Sequence, residues 1–253
     1  MVLLIDAGNT RIKWAIVDPA SRSPLGNWLQ MGSMLHADLS VLNAPWSAYP
    51  IKRALISNVA GPALQQQLEL TLQSKTVTAE RLMSQSFLAN IKNHYQDPGQ
   101  LGTDRFATAV GAHALFPDQD LLIITCGTAT TIDAVSAQGD FIGGMIAPGL
   151  LIMAESLAKN TQQLPHVQDM ALFKATFAGN TNAAILSGCL AAQAGAIEFA
   201  AKRFSELTKP STGTEQSLCI LSGGAAAYIS PSLLIPHKLV DNLVLIGLQV
   251  IAQ

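Results

Sequence analysis

A chain of 253 residues with 15 Lys and Arg against 17 Asp and Glu is nearly neutral, and 13% of its residues are charged while 49% are hydrophobic. That balance suits a soluble α/β protein with a sizeable core, in one large domain or two small ones. It contains no basic run of the kind a nucleic-acid footprint needs, which argues against that class of partner. The three cysteines, Cys126, Cys189 and Cys219, are far apart, and neither they nor the five scattered histidines have zinc-binding or disulfide spacing.

The chain opens with an apolar run, Val2–Ile5, that ends in the carboxylate of Asp6. A small-residue turn, Ala7-Gly8-Asn9-Thr10, leads to an alternating run, Ile12–Val17. The pattern predicts a buried strand, a tight turn and a hairpin return strand. A carboxylate at such a strand end can hold a hydrated Mg²⁺, Gly8 lets the backbone approach an anion, and Asn9 and Thr10 offer donors to phosphate oxygens. An ordinary hairpin with a polar turn fits the same residues equally well. Only four apolar residues precede Asp6 and no basic segment comes before them, so no secretory signal is expected.

Asp18–Ser47 reads as irregular and rich in turn formers, Lys52–Ser57 as a strand and Ala63–Gln73 as a helix, with a short strand at Thr76–Thr78. Phe87–Tyr95 leads into the turn Gln96–Gly99 and the segment Leu101-Gly-Thr-Asp-Arg105, followed by a helix over Phe106–Leu115. Gly102 and Thr103 stand just before that helix, where backbone donors and the helix dipole favour an anion.

Pro117–Asp120 is the expected boundary between two lobes, 1–117 and 118–253. A second apolar run, Leu121–Ile124, enters Thr125-Cys-Gly-Thr-Ala-Thr-Thr131 and returns through Ile132–Val135. Thr125 falls where Asp6 stood, Gly127 where Gly8 stood, and Thr128 where Asn9 stood. Two half-chains opening with the same strand–turn–strand suggest a duplicated architecture whose two phosphate loops face one cleft. Asp140–Gly149 is strand-like and Leu150–Leu157 helical. A long helix over Ala183–Phe204 follows, capped at Thr181 or Asn182. The strand Ser217–Leu221 runs into a third glycine turn, Ser222-Gly-Gly-Ala225, placed to hold a base or ribose. Leu239–Val240 and a helix over Asn242–Ala252 close the chain. The uncharged stretches Ala175–Ile197 and Gln216–His237 are interrupted by Asn, Gln, Ser, Gly or Pro, so neither is expected to span a bilayer, and a cytoplasmic location follows.

No Gly-x-x-x-x-Gly-Lys-Ser/Thr, no Gly-x-Gly-x-x-Gly after the first strand and no Gly-x-Ser-x-Gly occurs. Hairpin-type phosphate loops remain as the main nucleotide signal. Asp6–Thr10, Gly102–Arg105, Gly127–Asp133, Gly143–Gly149, Gly179–Thr181 and Ser222–Gly224, in that order, make the chain resemble the type III pantothenate kinases. The resemblance implies an α/β fold of the actin/hexokinase/Hsp70-like (ASKHA) kind, two ribonuclease-H-like lobes around a nucleotide cleft, and a homodimer. It implies ATP-dependent phosphorylation of pantothenate, the first step of coenzyme A synthesis, with Mg²⁺ or another divalent cation. Carried onto this chain, it makes Asp104 the general base on the pantothenate hydroxyl and Asp6 the Mg²⁺ residue, through water. Gly8, Asn9, Thr10, Lys13, Gly127 and Thr128 become ATP contacts, and Tyr95, Gly102, Thr103, Asp104, Arg105 and Thr181 become pantothenate contacts. Asp133 is either a hydrogen-bond acceptor of the second loop or a neighbour of the metal, and His94 is read as a surface residue.

The chain departs from the family at Thr125, where many members carry an Asp that helps bind K⁺ or NH₄⁺. A neutral hydroxyl can ligate the cation without compensating its charge, so the expected dependence on it is weak or absent. Two alternatives stand beside the kinase. One is a non-catalytic nucleotide or pantothenate sensor on the same fold, and the other is a kinase for a different small hydroxylated acceptor. Intact Asp6 and Asp104 argue against the sensor.

Overall fold

A computed structural model describes residues 1–21, 23–41, 46–167, 176–208 and 217–253. In chain order it has β1 (Val2–Ala7), β2 (Arg11–Val17), β3 (Gln30–Leu35), β4 (Arg53–Asn58), α1 (Pro62–Gln73), β5 (Thr78–Arg81), β6 (Phe87–Leu88), β7 (Ile91–Asn93), α2 (Thr103–Leu115), β8 (Leu121–Cys126), β9 (Ala129–Val135) and β10 (Asp140–Pro148). Then come α3 (Leu150–Asn160), α4 (Thr181–Leu207), β11 (Leu218–Ser222), α5 (Ala226–Ile229), β12 (His237–Leu239) and α6 (Leu243–Ala252). The chain divides into two compact units. The first comprises Met1–Asp118, Gly139–Phe141 and Asn242–Gln253, and the second Gln119–Gln138 and Ile142–Asp241.

The first unit is built on a sheet in the order β3-β2-β1-β4-β5. β2 runs antiparallel to both β1 and β3, whereas β1, β4 and β5 are parallel. Both faces of β1 are buried, which is why it reads as a continuous apolar run rather than an alternating one. The strand period of two sorts its side chains. Leu3, Ile5 and Ala7, with Ile12, Trp14 and Ile16 of β2 and Ile56 of β4, pack under Leu64, Leu68 and Leu72 of α1. Each of those leucines stabilises the unit by about 1.5–3 kcal/mol over an exposed one. Val2 and Leu4, with Ala15, Val17 and Leu55, face the opposite way, toward Ala107 of α2 and Leu245, Leu248 and Ala252 of α6. α2 and α6 meet nearly backbone to backbone. A Cβ at Gly247 would collide with the Ala107 carbonyl, and one at Gly111 would lie 2.6 Å from the Leu243 carbonyl.

The second unit repeats the strand–turn–strand opening, with β8 antiparallel to β9 and parallel to β11, which in turn pairs parallel with β12. Its core joins Leu122, Ile124 and Ile132 of the sheet to Leu150 and Ala154 of α3 and to Ile185, Leu186, Cys189, Leu190 and Ile197 of α4. α4 is long and apolar enough to cross a membrane, yet 56% of its most apolar window is buried within the protein, as in a core helix. The uncharged stretches singled out earlier each begin on a residue, Ala175 and Gln216, outside the described ones.

Several elements differ from expectation. β3 lies inside the stretch expected to be irregular, of which residues 22 and 42–45 lie outside the described ones. α2 begins at Thr103 rather than Phe106, so the Gly-Thr-Asp-Arg segment supplies its N-cap and first turn. Neither Thr181 nor Asn182 caps α4. The N-cap is Asn180, whose Oδ1 accepts from the Ala183 N–H at 3.0 Å.

Candidate active site

Strand parity builds the site in the first unit. Asp6 is register partner to Lys13 on β2 and to Ser57 on β4. Directly paired residues share a sheet face, and this one is the face of Leu4, Ala15 and Leu55, which α2 and α6 cover. The acidic residue closing the first strand therefore points toward the helix that carries Asp104. Ser57, 1% exposed, exchanges a 3.0 Å hydrogen bond with the Thr103 hydroxyl, tying the strand beside Asp6 to the first turn of α2.

Burial lifts the Asp6 carboxyl to about 7, the Asp104 charge adds to the lift, and the Lys13 ammonium opposes it. Asp104 is also held above the ordinary carboxylate range by burial. The Arg105 backbone N–H, which donates to its Oδ1 at 2.8 Å, and the Arg105 charge pull the other way. Two carboxyls short of solvent, one of them raised by the other's charge, are the arrangement expected where a proton is to be taken up. A Cβ at Gly102 would lie 2.6 Å from the Asp104 Oδ1, so the glycine keeps that carboxylate's place open. Lys13 is not simply solvated. Its Nζ donates to the Asn242 Oδ1 at 3.1 Å, and Asn242 is a left-handed residue at the head of α6.

Asn9 and Thr10 are exposed at the turn after β1, and Gly127 and Thr128 at the turn after β8. An added Cβ would make only ordinary contacts at Gly8 and Gly127, 3.5 Å from the Arg11 carbonyl and 3.6 Å from that of Ala129. The fold itself does not demand glycine there, and both loops leave their backbone open to an approaching ligand. The first loop is braced by His36, whose Nε2 lies 2.8 Å from the Gly8 carbonyl and donates to it. The second is braced from two sides. The Gly149 N–H donates to the Thr128 carbonyl at 2.9 Å and the Ala225 N–H to the Cys126 carbonyl at 3.0 Å. Gly149 and Gly223 approach that loop too closely for any side chain, and Gly223 also sits at φ +94°.

Tyr95 is partly buried, and its hydroxyl accepts from the Arg105 Nη1 at 2.9 Å. Arg105 is 7% exposed, with its guanidinium carbon 5.7 Å from the centre of the Tyr95 ring. His94, read as a surface residue, is exposed but bonded to the Asp140 Oδ1 at 2.7 Å. Asp133 is buried on β9, opposite Ile123. Thr181 is exposed at the first turn of α4 in the second unit. Also there, Thr125, Thr131 and Ser222 are register partners across three strands, and the buried Thr131 hydroxyl has no hydrogen-bond partner.

Asp6, Lys13, Thr103, Asp104, Arg105 and Tyr95 belong to the first unit, and Thr125, Gly127, Thr128 and Thr181 to the second. Ser57, His36 and Asn242 were not evident from sequence. Only a strand register or a folded turn brings them to the motif residues. No group of three His, Cys, Asp or Glu side chains that could cage a metal occurs among the described residues. Mg²⁺ fits such a site, because it binds through one or two carboxylates plus phosphates and keeps several waters. Asp6 offers a hard oxygen donor whose ionised form a cation would favour.

A sequence model of the type III pantothenate kinase family matches residues 2–203. A type III pantothenate kinase of Janthinobacterium sp. (strain Marseille) is 52% identical over 261 residues, covering 100% of this chain and 97% of that one. Among solved structures, a Campylobacter jejuni protein described as a Baf family transcriptional activator superposes with TM-score 0.61 at 17% identity, covering 98% of this chain and 96% of its own. A Sinorhizobium meliloti protein described as a 2-dehydro-3-deoxygalactonokinase does so with TM-score 0.57 at 11% identity, covering 100% and 97%. These likenesses show a shared α/β fold. The chain belongs to the type III pantothenate kinase family.

Proposed function

We propose that this chain transfers the γ-phosphoryl group of ATP to the hydroxyl of pantothenate, giving 4′-phosphopantothenate for coenzyme A synthesis. The observation that carries the reading is the strand-end carboxyl of Asp6 facing, with Lys13, the helix whose first turn holds Asp104. The acceptor O–H donates to the Asp104 carboxylate, and its proton passes there as the new O–P bond forms and the bond to the departing ADP breaks. A positioned base of raised pKa contributes about 10²–10⁴-fold in rate. Gly8, Asn9 and Thr10, with Lys13, meet the phosphates from one loop, and Gly127 and Thr128 from the other. Asp6 would hold Mg²⁺, through water, and the ion would supply charge neutralisation at the phosphates. Tyr95, Gly102, Thr103, Arg105 and Thr181 hold pantothenate, with the Arg105 guanidinium donating to the acceptor's oxygens.

The working form is a homodimer of two-lobed chains, in which the break after 117 expected from sequence is crossed by Gly139–Phe141 and Asn242–Gln253, both part of the first unit. The exposed Ile146, Leu151 and Phe177 on the second unit support a partner surface. At Thr125, neutral hydroxyls stand in for an acidic ligand, so K⁺ or NH₄⁺ is required weakly or not at all. Purified protein with ATP, Mg²⁺ and pantothenate is expected to form 4′-phosphopantothenate, and omitting K⁺ to leave most of the turnover. Nucleotide binding without product, whatever the cation, would overturn the kinase reading in favour of a sensor or another acceptor.

A further inference from the structure

Gln193 lies midway along α4, 3% exposed, one helical turn from Cys189 and Ile197 of the second unit's core. A buried amide costs the fold unless its polar atoms are bonded. This one is satisfied at one end only. Its Oε1 has no hydrogen-bond partner, while its Nε2 donates to the Pro148 carbonyl at 2.7 Å and to the Met153 Sδ at 3.2 Å. Both of those atoms can only accept, so the donor end of the amide must face them.

The Pro148 carbonyl and the Gly149 N–H belong to one peptide. A trans peptide is a rigid plane whose C=O and N–H point opposite ways. Gln193 holds the carbonyl end of that plane, and its N–H end donates to the Thr128 carbonyl at 2.9 Å. The Thr128 carbonyl heads a second such plane, so its bond to Gly149 sends the Ala129 N–H the other way, away from Gly149. All of these residues lie within the second unit.

We propose that Gln193 is a positioning residue of the second phosphate loop. Through one peptide plane it sets the direction in which Thr128 and Ala129 present their backbone to ATP. The proposal rests on Gly127 and Thr128 meeting the phosphates, as inferred above. Pro148 is exposed, so without Gln193 its carbonyl turns to water and the plane rotates, taking the Gly149 N–H off the Thr128 carbonyl. The Cys126 end of the loop, held by the Ala225 N–H, keeps its place.

The test is steady-state kinetics of Gln193→Met, which keeps an unbranched side chain of similar size and removes the donor. It is expected to raise KM for ATP about three- to tenfold, the loss of one hydrogen bond, with kcat and KM for pantothenate within about twofold. Its melting temperature should stay close to wild type, because the unpartnered Oε1 is removed as well. Gln193→Glu adds a readout that packing cannot move. A protonated acid donates to the Pro148 carbonyl as the amide does, and a carboxylate cannot. Burial favours the protonated form, so the ATP KM of this variant, as a ratio to wild type at the same pH, should be near one at pH 6 and rise by pH 9. Three results would each overturn the proposal. They are an unchanged ATP KM in Gln193→Met, a ratio for Gln193→Glu that does not change with pH, and failure of Gln193→Met to fold, which would make the amide part of the fold alone. If the acid variant does not fold, the methionine variant decides by itself. Loss of the kinase reading looks different, since wild-type protein would then give no phosphopantothenate at all.

Discussion

Asp6→Asn separates what the site costs the fold from what it gives the reaction. Burial lifts the Asp6 carboxyl from 3.8 to about 7. Between those two values the folded state binds a proton that the unfolded state has released, so stability falls as pH rises through the interval. At about 1.36 kcal/mol per pKa unit, the wild type loses at most roughly 2.5 kcal/mol between pH 5 and pH 8 through this group. Asparagine does not titrate, so the stability advantage of Asp6→Asn should grow by up to that amount over the same range. Urea unfolding at pH 5 and pH 8 reads the difference directly, because an unchanged denaturant slope converts midpoints into free energies. Turnover should be lost in the same variant, which exchanges activity for stability as strained sites do. An advantage that is absent, or equal at both pH values, would refute the argument that an unfavourably ionised carboxyl sits at the end of β1.

Asp104→Asn removes the base and should lower kcat by about 10²–10⁴-fold with ATP affinity nearly intact. The Asp104 charge raises the Asp6 pKa, so the same variant should move the acid limb of Mg·ATP binding to lower pH, as calorimetric titration across pH would show. Lys13→Met takes away the cation that lowers the Asp6 pKa, and that limb should move to higher pH. Gly102→Ala places a Cβ 2.6 Å from where the Asp104 Oδ1 lies. It should cut kcat roughly tenfold or more through displacement of the base, with a melting temperature close to wild type. A kcat within twofold of wild type would show that the carboxylate relocates freely.

The buried strands and both glycine loops were legible because a fully buried strand is written as an uninterrupted apolar run, as in Leu3–Ile5 and Leu122–Ile124. β3 was not legible, because its alternation is inverted. Gln30, Gly32 and Met34 turn toward the protein while Met31 and Leu35 face out, and Gly32 gives its place to the Trp14 ring. α2 starts three residues before its apolar periodicity, which begins at Phe106, because a first helical turn is naturally polar. Asp104 and Arg105 could be singled out from their motif. Ser57 and Phe141 could not, since one is an ordinary serine closing a strand and the other a lone phenylalanine beside glycines. Ser57 meets Thr103 46 residues along the chain, and Phe141 meets the distant Arg105, so folding and not a local motif brings each to its partner.

The joining of α2 to α6 bears on when this protein can fold. The first unit, which begins at Met1, is completed only by Asn242–Gln253. Until those residues emerge, Val2, Leu4, Ala15 and Leu55 lack the helix that covers them. At roughly 5–20 residues per second, the rest of the chain takes on the order of 10 s to synthesise after the β1–α2 segment has left the ribosome. The intervening second unit, whose stretches are close in sequence, can form first. A nascent chain stalled before Leu243 should therefore expose the apolar sheet face beneath the acidic pair and bind holdase chaperones there, releasing them once α6 docks its glycine against Ala107.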